Sequence, residues 1–173
     1  MLKLGVIGTG AISHHFIKAA HASQKFQLVA VYSRKLTTAQ QFASSYTDVS
    51  LFDNLEDFFQ SELDIVYIAS PNSLHYSQAK TALSAGKHVI LEKPAVTQPQ
   101  EWQDLVQTAK ENKSLIFEAA RNYHEEAFIT VKNFLADKQV LGADFNYAKY
   151  SSKMPDLLAG HTPNVFSDHF AGG

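Results

Sequence analysis

Short runs of apolar residues alternate with segments of helical periodicity over most of this chain. The runs cover residues 2–7, 28–32, 49–52, 65–69, 88–91 and 115–117. Most of them are rich in β-branched residues and do not alternate with polar residues, which is typical of strands buried on both faces. Between them, apolar residues recur at helical spacing, as Trp102, Leu105 and Ala109 do. This alternation predicts an α/β fold, a Rossmann-type doubly wound parallel sheet, for which six strands make a complete set.

The pattern changes after residue 117. A longer helical segment places Ala127, Phe128 and Val131 on one face, and residues 142–151 alternate aromatic and polar side chains like a strand with one solvated face. We therefore predict a domain boundary near residue 120. Residues 1–120 would form the Rossmann domain, and residues 121–173 would begin a second, incomplete α+β domain.

The composition restricts the classes of partner. The formal net charge of −2 gives no reason to expect nucleic acid or an acidic membrane surface as a partner. No apolar run approaches the roughly 20 residues that cross a bilayer. Cysteine is absent, which excludes disulfides and thiolate chemistry and is consistent with a reducing compartment. The chain starts with MLKLGVIGTG and enters a strand at once, so we expect no secretory signal and a cytoplasmic protein.

The turn after the first strand reads GTGAIS, residues 8–13, and opens a helical pattern. Gly8 permits a tight turn, and Gly10 lets the backbone approach a pyrophosphate without a Cβ in the way. The N-terminus of the following helix presents unpaired N–H groups to such an anion. Ser13 stands where the fingerprint has a third glycine or an alanine, and its small side chain still allows close helix–sheet packing. An ordinary glycine turn is the alternative, but the flanking strand and helix favour a pyrophosphate site.

The end of the second strand indicates which dinucleotide binds. NAD-binding proteins usually carry an acid there for the ribose 2′-hydroxyl, whereas this chain carries Ser33, Arg34 and Lys35. The first acidic residue of the whole chain is Asp48. Arginine and lysine donate to a 2′-phosphate, which a carboxylate would repel. We therefore favour NADP(H), with NAD(H) as the alternative. A second alternative is that Arg34 and Lys35 only cap a solvated turn.

The fourth and fifth strands end in polar residues next to prolines. Ser70-Pro71-Asn72 follows the fourth strand, and His75 lies in the first turn of the next helix. Asn72 fits a helix cap as well as it fits a ligand contact.

Glu92-Lys93-Pro94 follows the fifth strand, and Thr97 with Gln100 then predicts a helix start. Ligands bind at the carboxyl edge of a parallel sheet, so Lys93 could be a reactive lysine. A solvated turn with a weak Glu92–Lys93 ion pair is the alternative.

Three motifs together resemble a known family. The stretch GVIGTGAIS at 5–13, the Pro-Asn-x-x-His run at 71–75 and the Glu-Lys-Pro at 92–94 follow one another in its order and near its spacing. The chain resembles the Gfo/Idh/MocA oxidoreductases, the family of glucose–fructose oxidoreductase, inositol dehydrogenases and dihydrodiol dehydrogenases. The resemblance extends over essentially all 173 residues and is strongest up to about residue 120.

The resemblance implies roles for individual residues. The pyrophosphate would be held by Gly8, Thr9, Gly10, Ala11 and Ile12. The adenosine ribose would meet Ser33, Arg34 and Lys35. The cofactor path would be lined by Ser70, Pro71, Asn72 and His75. Glu92 and Lys93 would lie near the nicotinamide, and Lys93, the catalytic residue, would reach the substrate oxygen. The family's Arg-aromatic-x-Pro run is only partly matched, by Arg121 and Tyr123 without the proline, and these two residues are its candidate substrate contacts.

The implied function is an NAD(P)-dependent oxidoreductase acting on the hydroxyl or carbonyl group of a sugar, polyol or diol. A dinucleotide-binding sensor or scaffold without turnover would use the glycine turn and Arg34 but leave Lys93 without a task. A plain α/β domain for another nucleotide, such as S-adenosylmethionine, is the third interpretation. We expect no metal site, because His14 and His15 are adjacent and point to different helix faces.

The resemblance also bears on the extent of the protein. In the family a Gly-Gly pair, matched here by Gly172-Gly173, precedes a helix with further catalytic residues. This implies that residues 121–173 begin a substrate domain and that the complete protein is about twice as long. We expect the complete protein to be a homo-oligomer, and the 173-residue chain to be inactive.

Overall fold

The structure, a computed structural model, describes residues 1–163. The chain divides into two compact units, the first spanning Met1–Ala119 and the second beginning at Ala120. The assignment of the second unit to a substrate domain stays a prediction.

Six strands alternate with five helices in the first unit. Their bounds are β1 (Leu2–Ile7), α1 (Ala11–Ala22), β2 (Phe26–Tyr32), α2 (Leu36–Ala43), β3 (Ser50–Phe52), α3 (Leu55–Gln60), β4 (Ile65–Ile68), α4 (His75–Ser84), β5 (His88–Leu91), α5 (Pro99–Glu111) and β6 (Ile116–Glu118). All neighbouring strands pair in parallel, in the order β3-β2-β1-β4-β5-β6. The predicted doubly wound parallel sheet is therefore confirmed. The order reverses between β1 and β4, which is where this architecture opens a crevice for ligands.

Both faces of the sheet are covered, as the unalternating strands predicted. In β4, Ile65 and Tyr67 belong to one apolar cluster, which also contains side chains of α1 and α2. Val66 and Ile68 point to the opposite face and belong to a second cluster with α3, α4 and α5. Because successive strand residues alternate between faces, β1, β2, β4 and β5 each contribute to both clusters, and their central residues are apolar.

The ends of two helices follow the local sequence. Helix α4 is followed by Gly86 in a left-handed conformation, with φ of +73°, as expected for a glycine that ends a helix. Helix α5 starts one residue later than Thr97 and Gln100 predicted. Its N-cap is Gln98, and Glu101 completes the capping box, with Pro99 at the first helical position.

The second unit contains a 3₁₀ turn (Arg121–His124), α6 (Glu126–Leu135) and α7 (Met154–Leu158). The strand predicted over residues 142–151 is wrong, because the structure shows no strand anywhere in residues 120–163. An alternating segment becomes a strand only if another strand pairs with its backbone and a core covers its apolar face. None of residues 142–151 is covered in this way, and Tyr147 is 92% exposed. No helix within residues 1–163 is long and apolar enough to cross a membrane.

Candidate functional site

The glycine turn between β1 and α1 is packed tightly against the end of β4. Gly8 has φ of +105°, and a Cβ placed on it would lie 2.4 Å from the Ala69 carbonyl oxygen, so only glycine fits. Gly10 is the N-cap of α1, and a Cβ there would meet no atom of the described residues within 4 Å. No acidic residue lies in the first turn of α1. The open space at Gly10 and the free N–H groups at the start of α1 therefore fit a pyrophosphate.

Ser13 is fully buried one turn into α1, in agreement with close packing of helix on sheet. Its Oγ forms no hydrogen bond within the part of the chain that the structure describes. A larger residue would push α1 away from the strands and change the position of its N-terminus.

A cavity of about 180 Å³ lies at the carboxyl ends of β1, β2 and β4. Six of the predicted cofactor residues line it, and they come from three separate turns. They are Gly8, Thr9, Ser33, Arg34, Ser70 and Pro71. Sequence reasoning did not select Tyr32, Leu74 and Gln78, which also line it. The topology thus brings together residues that are more than 60 positions apart in the chain.

The turn after β2 is held by its backbone, which leaves its cationic side chains accessible. The Ser33 N–H donates to the Phe52 carbonyl at the end of β3, over 3.0 Å. Arg34 is exposed, and its guanidinium forms no hydrogen bond or ion pair with any of residues 1–163. Lys35, the N-cap of α2, does not line the cavity. Arg34 is thus available to bind an anion at the cavity wall.

The turn after β4 is held by two buried side chains. Ser70 Oγ donates to Gln78 Oε1 over 2.6 Å. Both ring nitrogens of His75 lie 2.9 Å from backbone carbonyl oxygens, those of Ser70 and Pro94. His75 is 1% exposed, so its ring connects the turns after β4 and β5 from the inside. Asn72 lies in the 3₁₀ turn that precedes α4. Contact of either residue with a cofactor stays a prediction.

The Glu92 carboxylate is bound to a tyrosine and not to the neighbouring lysine amine. Tyr67 Oη donates to Glu92 Oε1 over 2.7 Å, and the Lys93 backbone N–H donates to Glu92 Oε2 over 3.2 Å. The Lys93 side chain is exposed, and its ammonium has no ion-pair partner among residues 1–163. The predicted alternative of a Glu92–Lys93 ion pair is therefore wrong, because the carboxylate is hydrogen-bonded to Tyr67 instead of to the Lys93 amine.

Sequence reasoning missed Tyr67. Burial, followed by the hydrogen bond to Glu92, raises the pKa of its hydroxyl well above the ordinary value of 10.0. The sequence did carry a signal for it. The Tyr67 hydroxyl is the only polar side-chain group in the run Ile65-Val66-Tyr67-Ile68, and a buried tyrosine hydroxyl requires a hydrogen-bond partner.

The remaining candidates lie elsewhere in the chain. Arg121 and Tyr123 belong to the second unit. Arg121 Nε lies 3.1 Å from Glu125 Oε1, and the Tyr123 ring packs against Phe128. Their role as substrate contacts stays a prediction. Gly172-Gly173 lies outside the described residues.

A family model described as an oxidoreductase family with an NAD-binding Rossmann fold, Gfo/Idh/MocA, matches residues 2–120. The chain belongs to this family. Among Gfo/Idh/MocA relatives, the uncharacterized oxidoreductase YgjR of Escherichia coli is 41% identical over the whole chain. The scyllo-inositol 2-dehydrogenase (NADP(+)) IolU of Bacillus subtilis is 33% identical, also over the whole chain. The chain spans about half the length of these relatives, 53% of each.

Solved structures agree with the family assignment. The WlbA dehydrogenase from Bordetella pertussis, in complex with NADH and UDP-GlcNAcA, superposes with a TM-score of 0.72 at 27% identity. The match covers 78% of this chain and 42% of WlbA.

Proposed function

We propose that the complete protein is an NAD(P)-dependent oxidoreductase that transfers a hydride between a nicotinamide and the hydroxyl or carbonyl carbon of a sugar, polyol or diol. One observation carries this proposal. The cavity behind the glycine turn lies at the carboxyl ends of β1 and β4, and Lys93 follows the adjacent strand β5. The Lys93 amine has no ion-pair partner among residues 1–163. The family assignment and the inositol dehydrogenase relative support the reaction and the substrate class.

The chain's own residues would divide the task of binding. The pyrophosphate would meet the backbone from Gly8 to Ile12, including the free N–H groups at the start of α1. Ser33 and Arg34 would bind the adenosine ribose, and Ser70 and Pro71 would form the opposite wall. The bound nicotinamide supplies the hydride chemistry.

The Lys93 amine would exchange a proton with the substrate oxygen. Oxidation of a hydroxyl releases a proton from its oxygen, and reduction of a carbonyl requires one at the same atom. An amine can accept the first proton or donate the second. Because Glu92 is bound to Tyr67, the Lys93 amine would face the substrate oxygen without a competing partner.

The preference for NADP(H) rests on Arg34. Arg34→Ala should weaken NADPH binding by roughly tenfold and leave NADH binding nearly unchanged, because only NADPH carries the 2′-phosphate. The measurement is a titration of reduced-nicotinamide fluorescence with the 173-residue chain. Lys25→Ala, which removes an exposed cation outside the cavity, is the matched control. Equal NADPH affinity in the parent chain and in Arg34→Ala would disprove this preference.

The role of Lys93 is tested in the complete protein with a panel of sugars, polyols and diols. Lys93→Ala should lower kcat by about 100-fold or more, a far larger effect than its change in the Kd for NADPH, which should stay within about threefold. Lys110→Ala, an exposed lysine on α5, should keep full activity. Tight NADPH binding with no turnover on the whole panel would instead favour a sensor or scaffold.

A further inference from the structure

We infer that Tyr67 is a positioning residue that holds Glu92 away from the Lys93 amine and so keeps that amine available to the substrate oxygen. The role of the amine rests on the proposed function. The hold on Glu92 rests on contacts within this chain alone.

Glu92 is held at its backbone and at both carboxylate oxygens. Its N–H donates to the Ile68 carbonyl over 2.9 Å, which extends the pairing of β4 and β5 by one residue. Oε1 accepts the Tyr67 hydroxyl over 2.7 Å, and Oε2 accepts the Lys93 backbone N–H over 3.2 Å. Of the two bonds to the carboxylate, the one from the Lys93 N–H comes from the adjoining residue, whereas the shorter one from Tyr67 comes from another strand. The Tyr67 bond therefore ties the carboxylate to β4.

Tyr67 is fixed well enough to do this. It lies inside β4, paired with Val6 of β1 on one side and Ile90 of β5 on the other. Its side chain is 0% exposed, and its ring stacks on Phe16 of α1 with centroids 3.8 Å apart and planes 1° apart. Its pKa is raised above the ordinary value of 10.0, so the hydroxyl stays protonated, and remains a donor, at alkaline pH where an exposed tyrosine loses its proton.

Two titratable side chains on elements next to β5 already have partners. Glu118, at the end of β6, accepts the Ala95 N–H over 2.9 Å. His75, on α4, faces the carbonyls of Ser70 and Pro94. Without the Tyr67 hydroxyl, the half-buried Glu92 carboxylate would lose its strongest donor. The nearest cation in the sequence is Lys93, so the two side chains would pair.

The inference is tested by NMR titration of the Lys93 side-chain amine in the 173-residue chain, without cofactor or substrate. The Lys93 resonance is assigned from its loss in Lys93→Arg. Tyr67→Phe should raise the titration midpoint of Lys93 by about 0.5–1 pH unit, because a neighbouring carboxylate favours the charged amine. Tyr67→Phe combined with Glu92→Gln should restore the original midpoint. Tyr76→Phe is the matched control, since it removes another tyrosine–carboxylate bond, to Asp104, away from Glu92.

Glu92→Gln alone provides a second test that does not depend on the folding of Tyr67→Phe. If Tyr67 holds the carboxylate away, Glu92→Gln should move the Lys93 midpoint far less than Tyr67→Phe does. Equal midpoints in the parent chain and a folded Tyr67→Phe would overturn the inference, and so would a large fall of the midpoint in Glu92→Gln. These titrations contain no nucleotide, so their failure would leave the NADPH-binding and turnover experiments standing. Failure of those experiments would leave the hold of Tyr67 on Glu92 intact and remove only the role of the Lys93 amine.

Discussion

Gly8 and Gly10 stand two residues apart in the same turn and serve different purposes. Gly8 is required by the fold, because its φ is positive and a Cβ on it would collide with the Ala69 carbonyl, which follows β4. Gly10 has ordinary backbone angles and open space beside it, so the protein itself does not require glycine there. The second glycine is therefore consistent with the proposed pyrophosphate site, where a ligand would approach the backbone from outside.

Alanine at each position separates the two purposes. Gly8→Ala should lower the free energy of unfolding by about 2 kcal/mol or more, because the methyl group would collide with the Ala69 carbonyl. Gly10→Ala should remain as stable as the parent chain within about 0.5 kcal/mol but bind NADPH at least roughly tenfold more weakly. Urea unfolding and fluorescence titration measure the two effects. Unchanged NADPH affinity in Gly10→Ala would contradict the proposal that the pyrophosphate binds at this turn.

At the level of whole elements, helices α4 and α5 are joined by one polar cluster on their exposed side. Asp104 Oδ2 accepts from the Tyr76 hydroxyl over 2.8 Å and lies 2.7 Å from Lys80 Nζ. The hydrogen bonds from Lys80 and then from Tyr76 lower the pKa of the Asp104 carboxyl below its ordinary value of 3.8. The two helices cover the sheet next to β4 and β5, so this cluster supports the elements behind the candidate site.

The lowered pKa of Asp104 sets the direction of a pH effect. The unfolded chain binds a proton at this carboxyl more readily than the native chain does, so acid favours unfolding. The stabilisation should be present above about pH 4 and be lost as the pH falls through the lower native pKa. Asp104→Asn should therefore be less stable than the parent chain at pH 7, and the difference should shrink at pH 3. Urea unfolding at both pH values measures this, with the exposed Asp53→Asn as the control. A difference that does not change with pH would contradict it.

On the scale of the whole molecule, the two units differ in how well they cover their apolar residues. The first unit buries two clusters, one on each face of the sheet. In the second unit, α6 has no buried residue, and Val131 and Phe134 on its apolar face are 55% and 65% exposed. Contiguous exposed apolar side chains of this kind are typical of surfaces that other protein covers.

The second unit leads to a prediction for the 173-residue chain. The 173-residue chain should bind NADPH, show no turnover on the sugar and polyol panel, and self-associate as its concentration rises. Val131→Lys combined with Phe134→Lys should reduce self-association in sedimentation velocity. Lys132→Glu, which leaves both apolar residues in place, is the control. Turnover by this chain alone would contradict the first part, and equal sedimentation of parent and double variant would contradict the second.

The sequence by itself determined the parallel sheet, the glycine turn, the cationic end of β2 and the polar ends of β4 and β5. These features follow from local patterns, because strand burial, turn geometry and helix starts are fixed by neighbouring residues. Tertiary structure alone decided that Tyr67 binds Glu92 and that His75 connects two turns. Partners 25 and 19 residues apart meet only when the strand order and register are set. The tertiary structure also shows no strand at residues 142–151. An alternating pattern describes a single strand, but a strand forms only where a neighbouring strand supplies the partners for its backbone hydrogen bonds.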